Sequence, residues 1–129
     1  MRMGFYSGLP MVGINTTTPS STLDVNGQVT AVSFNATSDY RIKENVKEID
    51  IKKMNVDKLR PVSYINKKTD KEEYGLIAHE LSEYYPTLVS GEKDEYGRYQ
   101  SVNYIGLIAI LIKEIQELKR RLPPEDDLD

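Results

Sequence analysis

The stretch Thr37-Ser38-Asp39-Tyr40-Arg41-Ile42-Lys43-Glu44-Asn45-Val46 sits where the character of the chain changes. Upstream, residues 1–37 carry one basic residue, Arg2, and one acidic residue, Asp24, among Gly, Ser, Thr, Asn and Val. Downstream, residues 38–129 carry nearly all the charge. So abrupt a shift predicts two structural regimes that meet near Ser38. The chain divides accordingly into 1–37 and 38–129.

The first regime reads as β. Val12–Ile14, Thr22–Val25, Gln28–Val32 and Ser33–Asn35 are short β-prone runs, and the Asn26–Gly27 pair between them is a strong turn signal. So short a β segment buries little apolar surface and is marginal alone. It requires partners, either other copies of itself or a longer β structure upstream.

The second regime is mixed. Ile42, Val46 and Ile49 fall at helical spacing, which predicts an amphipathic helix over Tyr40–Ile49 with Asp39 as its N-cap. A further short helix is expected over Ile51–Leu59, ended by Pro61. Val62–Ile65 and Glu73–Ala78 read as strands around the polar turn Asn66–Glu72. His79–Tyr84 fits a short helix stopped by Pro86. Thr87–Gly91 and Arg98–Val102 flank a second hairpin turn with Asp94 and Gly97. Asn103–Leu122 is the clearest helix. Its Tyr104, Ile108, Leu111, Ile115, Leu118 and Leu122 step by 4, 3, 4, 3, 4, a heptad seam. Ile105, Leu107, Ile110 and Ile112 widen the first half, which is expected to pack on the domain body while the second half projects and self-associates. Pro123–Pro124 ends it, and Glu125–Asp129 reads as an acidic tail. The fold class is α+β: a short β stalk segment, then a small mixed domain with hairpins, short helices and a long C-terminal helix.

Composition excludes several classes. The formal charge is −3, so the basic excess needed to grip nucleic acid is missing. With zero Cys there is no disulfide, thiolate zinc site or cysteine nucleophile. The longest strongly apolar run, Ile105–Ile112, is far below the ~20 residues of a bilayer span. His79-Glu80-x-x-Glu83 offers too few ligands for a metal site. The glycines form no phosphate-binding loop. No metal and no cofactor are expected.

The chemistry lies in the opening stretch. A Ser hydroxyl becomes a nucleophile when a base removes its proton, and Lys serves as that base once desolvation or a neighbouring cation favours its neutral form. Lys43 lies five residues after Ser38, within reach of it from a helical start. Arg41 is near enough in sequence to be the cation, and Asp39 can orient a partner or cap the helix. Ser and Lys at this separation are common by chance, and spacing alone favours the plainer reading of a cap opening a solvated helix.

Ser38-Asp39-x-Arg41-Ile42-Lys43-x-Asn45-Val46 resembles the opening motif of the intramolecular chaperone domain of phage tailspikes, tail fibres and neck appendages, the S74 self-cleaving peptidase family. Three further segments are similar to that family's pattern. Val12–Thr17 with Leu23–Gly27 resembles the preceding β stalk. Tyr74–Glu80 resembles the strand-to-helix step, with His79 where Gln is frequent. Val102-Asn103-Tyr104 and the helix after it resemble the closing segment. The resemblance implies a homotrimer that aligns the upstream β-helical fibre of the same chain and then cuts itself free. It implies a cut between Thr37 and Ser38, with Ser38 as nucleophile on the Thr37 carbonyl, Lys43 as general base, and Asp39 and Arg41 in support. Coupling of the cut to folding further suggests that Ser38 and Lys43 meet productively only once the upstream stalk has folded. The resemblance also places the protein with a virion fibre assembling in the host cytoplasm; charge and the lack of a membrane-length apolar run argue against nucleic-acid and membrane partners. The trimer helix would use Ile108, Leu111, Ile115 and Leu118, although Ile at a with Leu at d leans toward dimers. The alternative is a non-catalytic trimerisation or receptor-binding tip that stays attached.

Overall fold

The computed structural model describes residues 2–6 and 8–124. The acidic tail expected over Glu125–Asp129 lies outside the described residues. The chain forms two compact units, Met1–Glu44 and Asn45–Asp129.

The first unit is built on a three-stranded sheet. β1 (Arg2–Tyr6) and β2 (Leu9–Ile14) pair antiparallel, and β3 (Leu23–Val25) pairs parallel to β2, with Val12 opposite Leu23 and Ile14 opposite Val25. Asn15 takes φ 58 where the chain leaves β2, and Ser20 donates its amide to Asp24 Oδ2 at 3.0 Å, closing the loop back to β3. β1 is not among the strands expected from the sequence. Two of the four β-prone runs are strands here, but Gln28–Val32 and Ser33–Asn35 are not. Asn26–Gly27 is a bend with φ negative at both residues, not a hairpin turn. Asn26 donates its amide to the Ile14 carbonyl at 2.9 Å, and the ladder ends there. A strand needs a neighbour for its N–H and C=O groups. Among the described residues no strand lies beside 27–48, and residues 26–48 are exposed throughout, Val29, Val32 and Phe34 included.

The helix expected over Tyr40–Ile49 shrinks to one 3-10 turn, Tyr40–Ile42, capped by Asp39. Lys43 is already extended and Asn45 sits at φ 53, which ends any helical run. Ile42 and Val46 have the right spacing but nothing to pack on, and a short helix does not persist without a buried face. Ile51–Leu59 is likewise a pair of turns. There the Asn55 side chain donates to the Ile51 and Lys52 carbonyls and accepts from the Asp57 amide, competing with a helix for the same backbone groups.

The second unit holds the core. β4 (Val62–Asn66) and β5 (Lys71–Gly75) form the first expected hairpin, turned by Asp70 at φ 57. α1 (Ala78–Ser82) follows, then a 3-10 turn led by Pro86. β6 (Val89–Ser90) and β7 (Ser101–Val102) make the second hairpin. α2 (Tyr104–Arg121) starts at Asn103, whose side chain accepts the Gly106 amide. Leu81, Tyr85, Leu107 and Ile110 are buried, with Ile49, Val56, Leu59, Leu76, Leu88, Val89 and Val102 packed around them. At about 1.5–3 kcal/mol per fully buried large side chain, this is a small core. Tyr85 also donates its hydroxyl to the Asn55 carbonyl at 2.7 Å, which fastens the 51–57 turns to it.

The Tyr104 hydroxyl accepts the Leu76 amide at 3.0 Å, and a Cβ at Gly75 would lie 2.5 Å from that hydroxyl. Gly75→Ala is therefore expected to destabilise the fold by about 1–3 kcal/mol, read by urea unfolding. Adding Tyr104→Phe removes the clashing atom and recovers part of the loss. At the far end of α2, Glu117 accepts from Arg120 and Arg121, and the Arg120 guanidinium above all holds its carboxyl down at about 2. A depressed carboxyl stabilises above its unfolded value, near 4.5, and that contribution is lost as pH falls toward 2. Helicity followed by circular dichroism should thus decline over that range in the wild type, and less so in Glu117→Gln.

Candidate functional site at the Thr37–Ser38 junction

The 3-10 turn positions the candidate residues. Asp39 has extended backbone (φ −67, ψ 139), and the chain then reverses through Tyr40–Ile42, with the Ile42 amide on the Asp39 carbonyl at 3.2 Å and the Lys43 amide on the Tyr40 carbonyl at 3.0 Å. The reversal returns the Lys43 side chain to Ser38, and Nζ donates to Oγ at 2.5 Å. The two residues singled out from the sequence are therefore in contact within one chain, through a shorter turn than the helix expected there.

Asp39 and Arg41 form a separate pair. Arg41 Nε donates to Oδ1 at 2.9 Å and Nη2 to Oδ2 at 3.1 Å, while the Arg41 amide also donates to Oδ1 at 2.8 Å. The Arg41 side chain, then its amide, draws the Asp39 carboxyl below its usual range, and Asp39 in turn raises the guanidinium. The Arg41 charge is thus engaged by Asp39 and does not act as a lone cation beside Lys43. All four side chains lie in the exposed stretch 26–48.

Residues 38–90 match the family model Peptidase_S74, chaperone of endosialidase. The match is consistent with an S74-family intramolecular chaperone domain, supports a chaperone role, and marks the domain as peptidase-related. It opens on Ser38 and ends within β6. No curated protein matches the chain.

Within the S74 segment, the strand-to-helix step gains a physical role. Glu80 accepts from Arg60 Nε at 2.9 Å and Nη2 at 2.6 Å, which ties α1 to the segment that leads through Pro61 into β4. Sequence reading did not single out Arg60, because its partner lies twenty residues away and no local spacing announces it. Of the tyrosines in this unit, Tyr85 enters the core, while Tyr84, Tyr96, Tyr99 and Tyr104 stay exposed. Among the described residues no group of three His, Cys, Asp or Glu is placed to hold a metal, and no helix is long and apolar enough to cross a membrane.

On α2, Leu107 and Ile110 face the core, with Lys113, Glu114 and Glu117 half-buried on the same side. The heptad residues point elsewhere: Ile108, Leu111, Ile115 and Leu118 are 54%, 46%, 57% and 60% exposed. The first half of α2 thus buries one stripe on the domain and leaves the seam uncovered.

Proposed function

We propose that this protein is a self-cleaving assembly chaperone: its C-terminal region trimerises, aligns the β stalk of the same chain, and cuts the Thr37–Ser38 bond. The observation that carries the reading is the hydrogen bond from Lys43 Nζ to Ser38 Oγ beside that bond. In the reaction, Lys43 in its amine form takes the Ser38 hydroxyl proton, and Oγ bonds to the Thr37 carbonyl carbon. The proton passes to the Ser38 nitrogen as the C–N bond breaks, leaving a Thr37–Ser38 ester. Water then hydrolyses the ester to a Thr37 carboxylate and a Ser38 residue with free amine and hydroxyl.

The uncovered apolar surface supports assembly as the trigger. Val32, Phe34 and the α2 seam await burial against other copies. An ammonium donates to a hydroxyl, whereas the base must be an amine, and removal of water favours the amine. Ser38 and Lys43 are in contact yet exposed in the single chain. Assembly therefore acts by desolvating a pair that has already met, not by bringing it together. Trimerisation raises the effective concentration of the stalk segments, whose registry is otherwise opposed by chain entropy. The cut then leaves the stalk kinetically trapped. The setting is a phage fibre or appendage.

The test is to express the chain with its upstream stalk and follow oligomer size and chain mass together. The proposal expects trimers to form first and the mass to split afterwards. Assembled trimers that keep their tip, with no change in mass over days, would favour the attached, non-catalytic alternative.

A further inference from the structure

Resting on the Ser38–Lys43 reading, the next question is what holds that pair in place. The reversal between them is a single 3-10 turn whose residues are all exposed, so no buried face stabilises it. It is held by only two backbone bonds, at 3.2 and 3.0 Å. A side chain adds a third bond to the turn: Asp39 Oδ1 caps the Arg41 amide at 2.8 Å. The same carboxylate then receives the Arg41 guanidinium on both oxygens, which leaves it one orientation.

We propose that Asp39 is the positioning residue of the pair: its cap on the Arg41 amide closes the turn that returns Lys43 to Ser38, and the Arg41 side chain fastens the carboxylate in that pose. Asp39 neither gives nor takes a proton in the reaction. With its carboxyl drawn down by Arg41, it is ionised wherever a lysine amine is available. The charged and titratable groups of the turn segment are Asp39, Tyr40, Arg41, Lys43 and Glu44, all exposed, and among the described residues no other element covers them.

A cap and a proton carrier respond differently to substitution. Asn and Ser offer a capping oxygen as Asp does, without a carboxyl to titrate, whereas Ala offers none. The experiment measures the single-turnover cleavage rate of the full chain by intact mass, across neutral to alkaline pH. Asp39→Ala is expected to slow cleavage by about tenfold, the order of a lost cap. Asp39→Asn is expected to stay within about threefold of the wild type, with a pH profile of unchanged shape. Arg41→Ala falls between them, because the cap survives without its fastener. Should Asp39→Ala fail to assemble, Asp39→Ser keeps a capping oxygen and is expected to cleave as Asp39→Asn does. Asp39→Asn as slow as Asp39→Ala, or with a displaced pH profile, overturns the proposal, as does Asp39→Ala at the wild-type rate. A wild type that never cleaves sinks the Ser–Lys reading itself, a result distinct from all of these.

Discussion

Ser38→Ala leaves the assembled protein as one uncut chain, since the hydroxyl that would attack Thr37 is gone. Lys43→Ala slows the cut by about 10²–10⁴-fold, the usual worth of a general base. Lys43→Arg is the sharper variant. It keeps a cation beside Ser38 but supplies no amine, because a guanidinium does not give up its proton at accessible pH. If Lys43 acts as the base, Arg is as inactive as Ala. If its charge alone matters, Arg retains activity and the proposed mechanism is wrong. Both positions are exposed and neither enters the core around Leu81 and Ile110, so these variants should fold and assemble as the wild type does. Intact mass against time reads the difference.

The second large effect is expected on the outward face of α2. Leu111 and Ile115 are about half exposed and lie off the Leu107–Ile110 stripe, so Leu111→Gln with Ile115→Gln should leave the single chain folded. In an assembly that buries this face, each copy loses about 1.5–3 kcal/mol per side chain. Across two positions and several copies the oligomer should dissociate at micromolar concentration, as sedimentation would report. Cleavage should fall with it, because the pair at Ser38 is no longer desolvated. The opposite variant, Leu107→Ala, is expected to cost about 2–5 kcal/mol of fold stability. A double variant that stays fully assembled would remove α2 from the interface. Sedimentation also decides the number of copies, on which the heptad residues and the family resemblance disagree.

The elements legible from sequence are those whose partners lie nearby in the chain. The hairpin of β4 and β5, the short α1 ending near Ser82, the hairpin of β6 and β7, and α2 all follow from local periodicity, turn residues and caps. The failures share one cause. Ile42 and Val46 have helical spacing, and Gln28–Asn35 has β-prone residues, yet spacing promises a buried face only if something covers it. Among the described residues nothing does, so the first collapses to one turn and the second forms no strand. The Ile51–Leu59 helix fails for another reason, the competition from Asn55 and the anchor of Tyr85 on its carbonyl. Long-range ties such as Arg60 with Glu80 and Tyr104 with Leu76 leave no local trace at all. The candidate pair was legible through the likeness of Ser38–Val46 to the family motif, since the five-residue spacing alone favours a plain cap, and the turn that joins the pair was not foreseen. The part of Asp39 in that turn was half legible: its capping role could be read, its grip on Arg41 could not.

The most direct measurement is the N-terminal sequence and mass of the fragments released from the wild-type protein, assembled with its stalk. A new chain beginning Ser38-Asp39-Tyr40, paired with an upstream fragment ending at Thr37, is the predicted result. An assembled protein that keeps the Thr37–Ser38 bond whole, or that is cut at any other bond, contradicts the account.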